Sequence, residues 1–479
     1  MTSGLPAAAS PPADAAGALA AAAALLADAG VAPFGIDVQH AGLVLPSVFR
    51  IDVAATAAVA ALTVAVARVA EARGGPLPGV SVDGRAAQLS FRSERYLTVD
   101  GALPGEPWAA LSGDYRAAAG GWVRVHANFA HHGDAACRAL GVPAERDALA
   151  AAIAARCGGG GGGGARGRRR AAALRPAAQW AAHPRDRADA ATPVVALEAI
   201  GPADPRRWAP APDRSVRGPL AGVRVLDLTR VIAGPVAGRV LAAHGADVLA
   251  VSAAHLPQVD LLVIDTGFGK RSTLLDLRRA PDRAVFDSLL AGADALVESY
   301  RPGALAALGY GPAELAERAP GLVVVDVRAY GRRGPWALRR GFDSVVQLAS
   351  GIAATGAAAT GVDRPVPLPC QALDHATGWL AALAVVAGLL RQRAEGGSWR
   401  ADVALSTTAA WLQGLGTDPA GLAVADPTAA DVADLLVETD SAHGRLRHVA
   451  MPGRLGAIPT GWSSPPPLLG ADEPRWPAR

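Results

Sequence analysis

The chain has almost no lysine: of its 46 basic side chains only Lys270 is one, and the rest are arginine. Set against 43 acidic residues, that leaves a formal charge of +3, too little for the electrostatic footprint of a nucleic-acid binder. Aromatics make up only 5% of the residues, and the three cysteines (Cys137, Cys157, Cys370) form no close pair and no metal-ligand spacing. A disulfide scaffold is excluded, and a reduced, cytoplasmic interior is the expected setting. The alanine-rich run Ala15–Ala29 is too short to span a bilayer, carries Asp28, and lacks the basic start of a signal peptide.

What is present is a chain of 479 residues with 51% hydrophobic and 19% charged side chains, enough for two or three domains with sizeable cores. Residues 1–14 read as a loose terminus. A globular half follows over 15–200, with a helix over Ala54–Arg73, a strand over Arg92–Asp100 and a hairpin from Gly113 to His126. Seven consecutive glycines after Cys157, followed by Arg166–Arg170, break this half at 157–170. No Gly-Lys-Ser/Thr follows them and no strand precedes them, so they predict a flexible linker rather than a phosphate loop. Residues 201–219, with repeated Pro and Arg, form a second linker.

From residue 220 the pattern changes to short apolar runs alternating with helices. Strands are expected over Val223–Leu228, Ala246–Val251, Leu261–Asp265, Ala295–Glu298 and Gly321–Val327, with helices through Ala243 and over Ala280–Leu290. This alternation predicts an α/β domain over 220–412 built on a parallel, doubly wound sheet, with an extension over 413–479 packing back on it. An internal repeat links the halves. Leu45-Pro-Ser-Val-Phe-Arg-Ile-Asp52 and Leu368-Pro-Cys-Gln-Ala-Leu-Asp374 each precede an alanine-rich helix, a Gly pair and a short Val/Asp strand.

One βα turn is placed to meet an anion: Thr229-Arg-Val-Ile-Ala-Gly-Pro235. It joins a strand to a helix N-terminus, where backbone N–H groups and the helix dipole favour negative charge. It lacks the G-x-G-x-x-G spacing of a dinucleotide site. An ordinary tight turn is the competing reading. Two basic elements, Gly269-Lys-Arg-Ser272 and Ser299-Tyr-Arg-Pro-Gly303, are expected at strand ends, where open α/β sheets bind ligands. Together they suggest a polyanionic, nucleotide-bearing ligand.

The ordered series Pro219–Thr229, Ala233-Gly-Pro235, Gly245-Ala-Asp-Val248, Gly269–Leu277, Val297–Leu305, Tyr330–Pro335, Gly341-Phe-Asp-Ser344 and Leu373-Asp-His-Ala-Thr-Gly378 resembles the class III CoA-transferases, of the carnitine dehydratase/bile-acid-inducible type. Asp114–Gly141 resembles the small domain of that family, so the chain reads as a rearranged fusion with the small-domain portion first. The resemblance implies a Rossmann-like large domain and a smaller α+β domain. It also implies coenzyme A as substrate with no tightly bound cofactor and no metal, a small carboxylic acid as acceptor, and a homodimer. Asp374 would be the catalytic carboxylate, kept ionised at the start of its helix. Ile232, Ala233, Gly234, Pro235, Lys270, Arg271, Tyr300 and Arg301 would bind CoA. Neither nucleic acid nor membrane is an expected partner.

Two departures from the pattern matter. The related α-methylacyl-CoA racemases place a histidine where this chain has Phe342, which cannot serve as an acid or base. An arginine position often used for the CoA phosphate is Ala253 here, leaving Lys270, Arg271 and Arg301 to compensate. The alternatives to a transferase are a racemase-like isomerase and a catalytically silent partner subunit. Asp52, Asp343, His126, His131 and His132 are read as structural.

Overall fold

The computed structural model describes residues 13–40, 42–118, 120–156, 171–208 and 218–478. The expected loose terminus up to residue 12, the glycine-rich linker at 157–170 and most of the second linker, 209–217, lie outside the described residues.

Seven strands form the central sheet. In chain order they are β1 (Leu197–Gly201), β2 (Arg224–Leu228), β3 (Asp247–Ser252), β4 (Lys270–Leu274), β5 (Ala295–Glu298), β6 (Val323–Arg328) and β7 (Ser398–Ala404). Their spatial order is β4-β3-β2-β5-β6-β7-β1. Every pairing is parallel except β7 with β1. The strands are near-continuous apolar runs because a parallel sheet is covered on both faces. Val225, Val297, Val323 and Val325 bury into one core. The alternate residues Leu226, Leu296 and Val324 bury into another, against Phe286, Leu289 and Leu290 of the helix Ala280–Ala291. The α/β, mostly parallel sheet expected from the sequence is therefore the architecture observed.

Local readings differ in three places. Leu261–Asp265, expected as a strand, belongs to the helix Asp260–Gly267, which buries Leu261 and Ile264 against Leu97, Phe268 and Leu446. A five-residue apolar run has no periodicity that separates strand from helix, and tertiary packing decided it. Lys270 and Arg271, expected at a strand end, begin β4 itself. Arg92–Asp100 is mostly not extended: a 3-10 turn occupies Ser93–Arg95, and only Thr98–Val99 forms a strand.

The repeat is visible as two long helices, Ile51–Ala72 and Ala372–Glu395, packed on one another. Each is followed by a strand and a further helix: Val80–Asp83 then Gly84–Ser90, and β7 then Leu405–Gly414. Both long helices are apolar enough by composition to cross a membrane, yet 94% of each apolar stretch is buried inside the protein. The predicted hairpin is present as Gly113–Arg116 paired antiparallel with Trp122–Val125. The segment after it lies over the large domain, with His126 Nδ1 3.3 Å from Ser344 Oγ. The C-terminal stretch packs on both halves: Gly453–Leu455 pairs with Val80–Asp83, and Trp462 Nε1 donates to the Arg239 carbonyl at 2.9 Å.

Candidate active site

β2 and β5 are neighbours, and the strands that follow each lie on opposite sides of the pair. Their carboxyl ends therefore open a crevice at the point where the strand order reverses. The turn after β2 is held in an uncommon shape. Val231 has φ +78°, a left-handed conformation that is costly for a β-branched residue, of order 1–3 kcal/mol. The neighbouring Thr229 is pinned by its backbone N–H and its hydroxyl to Asp227 Oδ1. A side chain at Gly234 would meet Thr229 Cβ at 2.3 Å, so only glycine fits there. The helix Ala233–Ala243 then begins at Ile232 with no side-chain cap, leaving its first-turn N–H groups for whatever enters the crevice.

Asp374 lies in the first turn of Ala372–Glu395. Gly378, four residues on, shares its face of the helix. A Cβ at Gly378 would stand 2.6 Å from the Ala233 carbonyl oxygen and 2.7 Å from Val236 Cβ. This close approach lays the long helix on the helix of the βα turn and brings Asp374 to Ile232–Gly234. The carboxylate is only 8% exposed.

Its surroundings are rich in negative charge. The Asp374 backbone N–H donates to Asp343 Oδ2 at 3.0 Å. Asp343 Oδ1 accepts from Gln347, whose own oxygen accepts the Leu368 N–H at 2.8 Å, so Asp343 holds the loop that delivers Asp374. The adjacent His375 is fully buried, with Nε2 3.0 Å from Glu94 Oε2. Burial, followed by the charges of Asp343 and Glu94, pushes the Asp374 carboxyl well above the usual carboxylate range. Burial also raises Asp343, to about 6. Burial works against the charge on Glu94 as well, but the hydrogen bond and charge of His375 outweigh it and lower that pKa. The helix start was expected to keep Asp374 ionised; burial and the neighbouring carboxyls pull its pKa upward instead. One helix terminus does not offset burial beside two more carboxyls.

Asp374 borders two cavities, and Val231, Ile232 and Phe342 are the other side chains common to both. The first encloses about 300 Å³ and is cationic, with Arg230, Arg301, Arg328 and Arg340 on its walls beside Tyr300. Phe129, His131 and His132 of the first half close it. The second encloses about 390 Å³ and is mostly apolar.

Of the residues singled out in the sequence, the structure brings Ile232, Ala233, Gly234, Tyr300, Arg301 and Asp374 together around the cationic cavity. Pro235 and Lys270 face a neighbouring space of about 70 Å³ that shares Phe129, Arg230 and Val231 with the cationic cavity. Lys270 is buried, its Nζ 2.7 Å from Asp227 Oδ2 and 2.8 Å from the Pro235 carbonyl oxygen, so its charge is spent inside the protein. Arg271 donates to the Arg475 carbonyl at 2.8 Å and lies over the Trp476 ring, facing the C-terminal stretch. Both are engaged away from the cationic cavity, whose walls carry Arg230, Arg301, Arg328 and Arg340, with Arg328 Nε 2.9 Å from Asp402 Oδ1. Arg230 was visible in the turn itself, and Arg328 ends β6. Nothing in the sequence marked Glu94. The histidines read as structural lie on cavity walls: His131 and His132 on the first, His126 on the second. Phe342 stacks on His126 with ring centroids 3.7 Å apart. Asp52 is buried in an ion pair with Arg50 at 3.0 Å, a structural arrangement.

Residues 220–419 match the model of CoA-transferase family III. The chain is 33% identical over 242 residues to the acetyl-coenzyme A transferase nodX of Hypoxylon pulicicidum, covering 50% of this chain and 36% of that protein. It is 35% identical over 208 residues to the probable fatty acyl-CoA transferase Rv3272 of Mycobacterium tuberculosis, covering 41% of this chain and 52% of that one. The crystal structure of Rv3272 aligns at 34% identity with a TM-score of 0.37, over 42% of this chain and 58% of that one. The chain thus spans about a third to a half of the length of these curated relatives.

Proposed function

We propose that the protein moves coenzyme A between an acyl-CoA donor and a carboxylic acid acceptor, with Asp374 as nucleophile. The observation that carries this reading is the position of Asp374: one carboxylate on the wall shared by a cationic cleft and an apolar cavity, beside an uncapped helix N-terminus. The cleft suits the phosphates of CoA, because arginine guanidinium groups give charge-assisted, often bidentate hydrogen bonds to phosphate. The apolar side suits the acyl group.

The chemistry is covalent catalysis that splits one exchange into easier steps. The ionised Asp374 attacks the thioester carbonyl and expels CoA thiolate, forming a mixed anhydride. The thiolate attacks the aspartyl carbonyl of the anhydride, releasing the donor acid and leaving an aspartyl-CoA thioester. The acceptor carboxylate then attacks that thioester, and CoA thiolate leaves again. Finally the thiolate takes the acceptor's acyl carbonyl, releasing the new acyl-CoA and free Asp374. First-turn N–H groups of Ala233–Ala243 would stabilise each oxyanion. A carboxylate with a raised pKa is a more basic nucleophile once its proton has left.

Incubation with acyl-CoA and hydroxylamine, followed by peptide mass spectrometry, tests this reading. An aspartyl hydroxamate at Asp374 supports it. Exchange of the α-proton with deuterated water and no adduct overturns it in favour of an isomerase. Neither adduct, exchange nor CoA binding sinks both enzymatic readings and leaves a partner subunit.

A further inference from the structure

The two cavities that meet at Asp374 differ in chemistry. The second is walled by Trp108, Leu103, Leu261 and Leu262, and its volume is on the scale of one small organic molecule. Its aromatic side is ordered. The His126 ring lies nearly parallel to Phe342, at 14°, and meets Trp108 edge-on with centroids 5.7 Å apart.

The formally charged side chains on this cavity are Glu94, Asp343 and Asp374 against Arg95 alone. Arg95 is already turned toward Glu94, with Nε 3.9 Å from Oε1. A substrate with a second carboxylate would bring another negative charge among Glu94, Asp343 and Asp374, where like charges repel. An uncharged ring meets apolar walls and aromatic faces, which favour offset and edge-on contacts.

We propose that this cavity, which adjoins the cationic cleft at Asp374, receives the acyl group and selects a compact, ring-bearing monocarboxylic acid over a dicarboxylic acid. The assignment of the bound group as an acyl group rests on the transferase reading; the selectivity rests on the cavity alone. Trp108, half-buried in the first half of the chain, is the specificity-determining side chain.

Calorimetric titration of the full chain near neutral pH with phenylacetate, octanoate and glutarate tests the assignment. Phenylacetate is expected to bind about tenfold or more tightly than glutarate, and Trp108→Ala to weaken phenylacetate by about tenfold. Trp108→Phe is expected to restore most of that loss. Glutarate binding as tightly as phenylacetate, octanoate binding more tightly than phenylacetate, or Trp108→Ala without effect overturns the proposal. The same acids offered as CoA acceptors separate the two readings. Selective phenylacetate binding with no thioester exchange sinks the transferase and leaves the pocket standing. Exchange that runs best with glutarate keeps the transferase and overturns the pocket.

Discussion

The Asp343 carboxylate accepts the backbone N–H of Asp374 at 3.0 Å, so the candidate nucleophile is presented by a second acid in the same buried corner. Because Asp374 attacks only when ionised and its pKa is raised by burial, Asp343 and Glu94, the rate is expected to climb with pH to a plateau well above the ordinary carboxylate range. Asp343→Asn keeps an acceptor for the N–H and removes one charge. It should move the half-maximal rate to lower pH, as read from kcat against pH. An unmoved profile would show that Asp343 does not set the ionisation of Asp374.

Arg301 and Lys270 are expected to behave oppositely, although both were candidate CoA ligands in the sequence. Arg301→Ala should raise KM for acyl-CoA by about tenfold, the worth of one charge-assisted phosphate contact, with little change in thermal stability. Lys270→Met strands the buried Asp227 carboxylate and should cost about 3–5 kcal/mol in denaturant unfolding.

Gly378→Ala is expected to destabilise the protein by about 1–3 kcal/mol, because the new methyl group meets the Ala233 carbonyl rather than a yielding side chain. It should also lower kcat by moving Asp374 off the βα turn. Thermal unfolding and the yield of hydroxamate at Asp374 measure the two effects separately. Normal yield in a destabilised variant would show that the helix contact does not position the nucleophile.

Glu298, at the end of β5, hydrogen-bonds the Tyr300 N–H at 2.7 Å and sits against Asp326. Burial and then Asp326 raise its pKa from 4.5 to about 9. An acid raised in this way contributes stability that is fully present below about pH 4.5 and is lost as pH rises through about 9. Tm should therefore fall across that window, and Glu298→Gln, which cannot ionise, should flatten the slope. An equal slope in the variant would place the loss elsewhere.

Much of this protein was legible as local pattern. Val/Leu runs such as those in β2 and β6 specify strands buried on both faces, the Gly113–His126 stretch carries its own turn, and Gly234 marks a tight βα turn in which a side chain would meet Thr229. The turn at Thr229–Pro235 and the family resemblance through Asp374 were likewise readable from neighbours in the chain. Facts about partners far apart in sequence were not. Lys270 looked like a free cation until folding set it against Asp227, and Leu261–Asp265 had no period to mark it as a helix. Glu94 meets His375 from 281 positions away. Charge, ionisation and cavity chemistry are sums over such distant neighbours. The sequence by itself therefore determined the α/β class, the βα turn and the place of Asp374 at the start of its helix. Only the tertiary structure decided which arginines face the cleft, that burial beside Asp343 and Glu94 raises the pKa of Asp374, and which second cavity it borders.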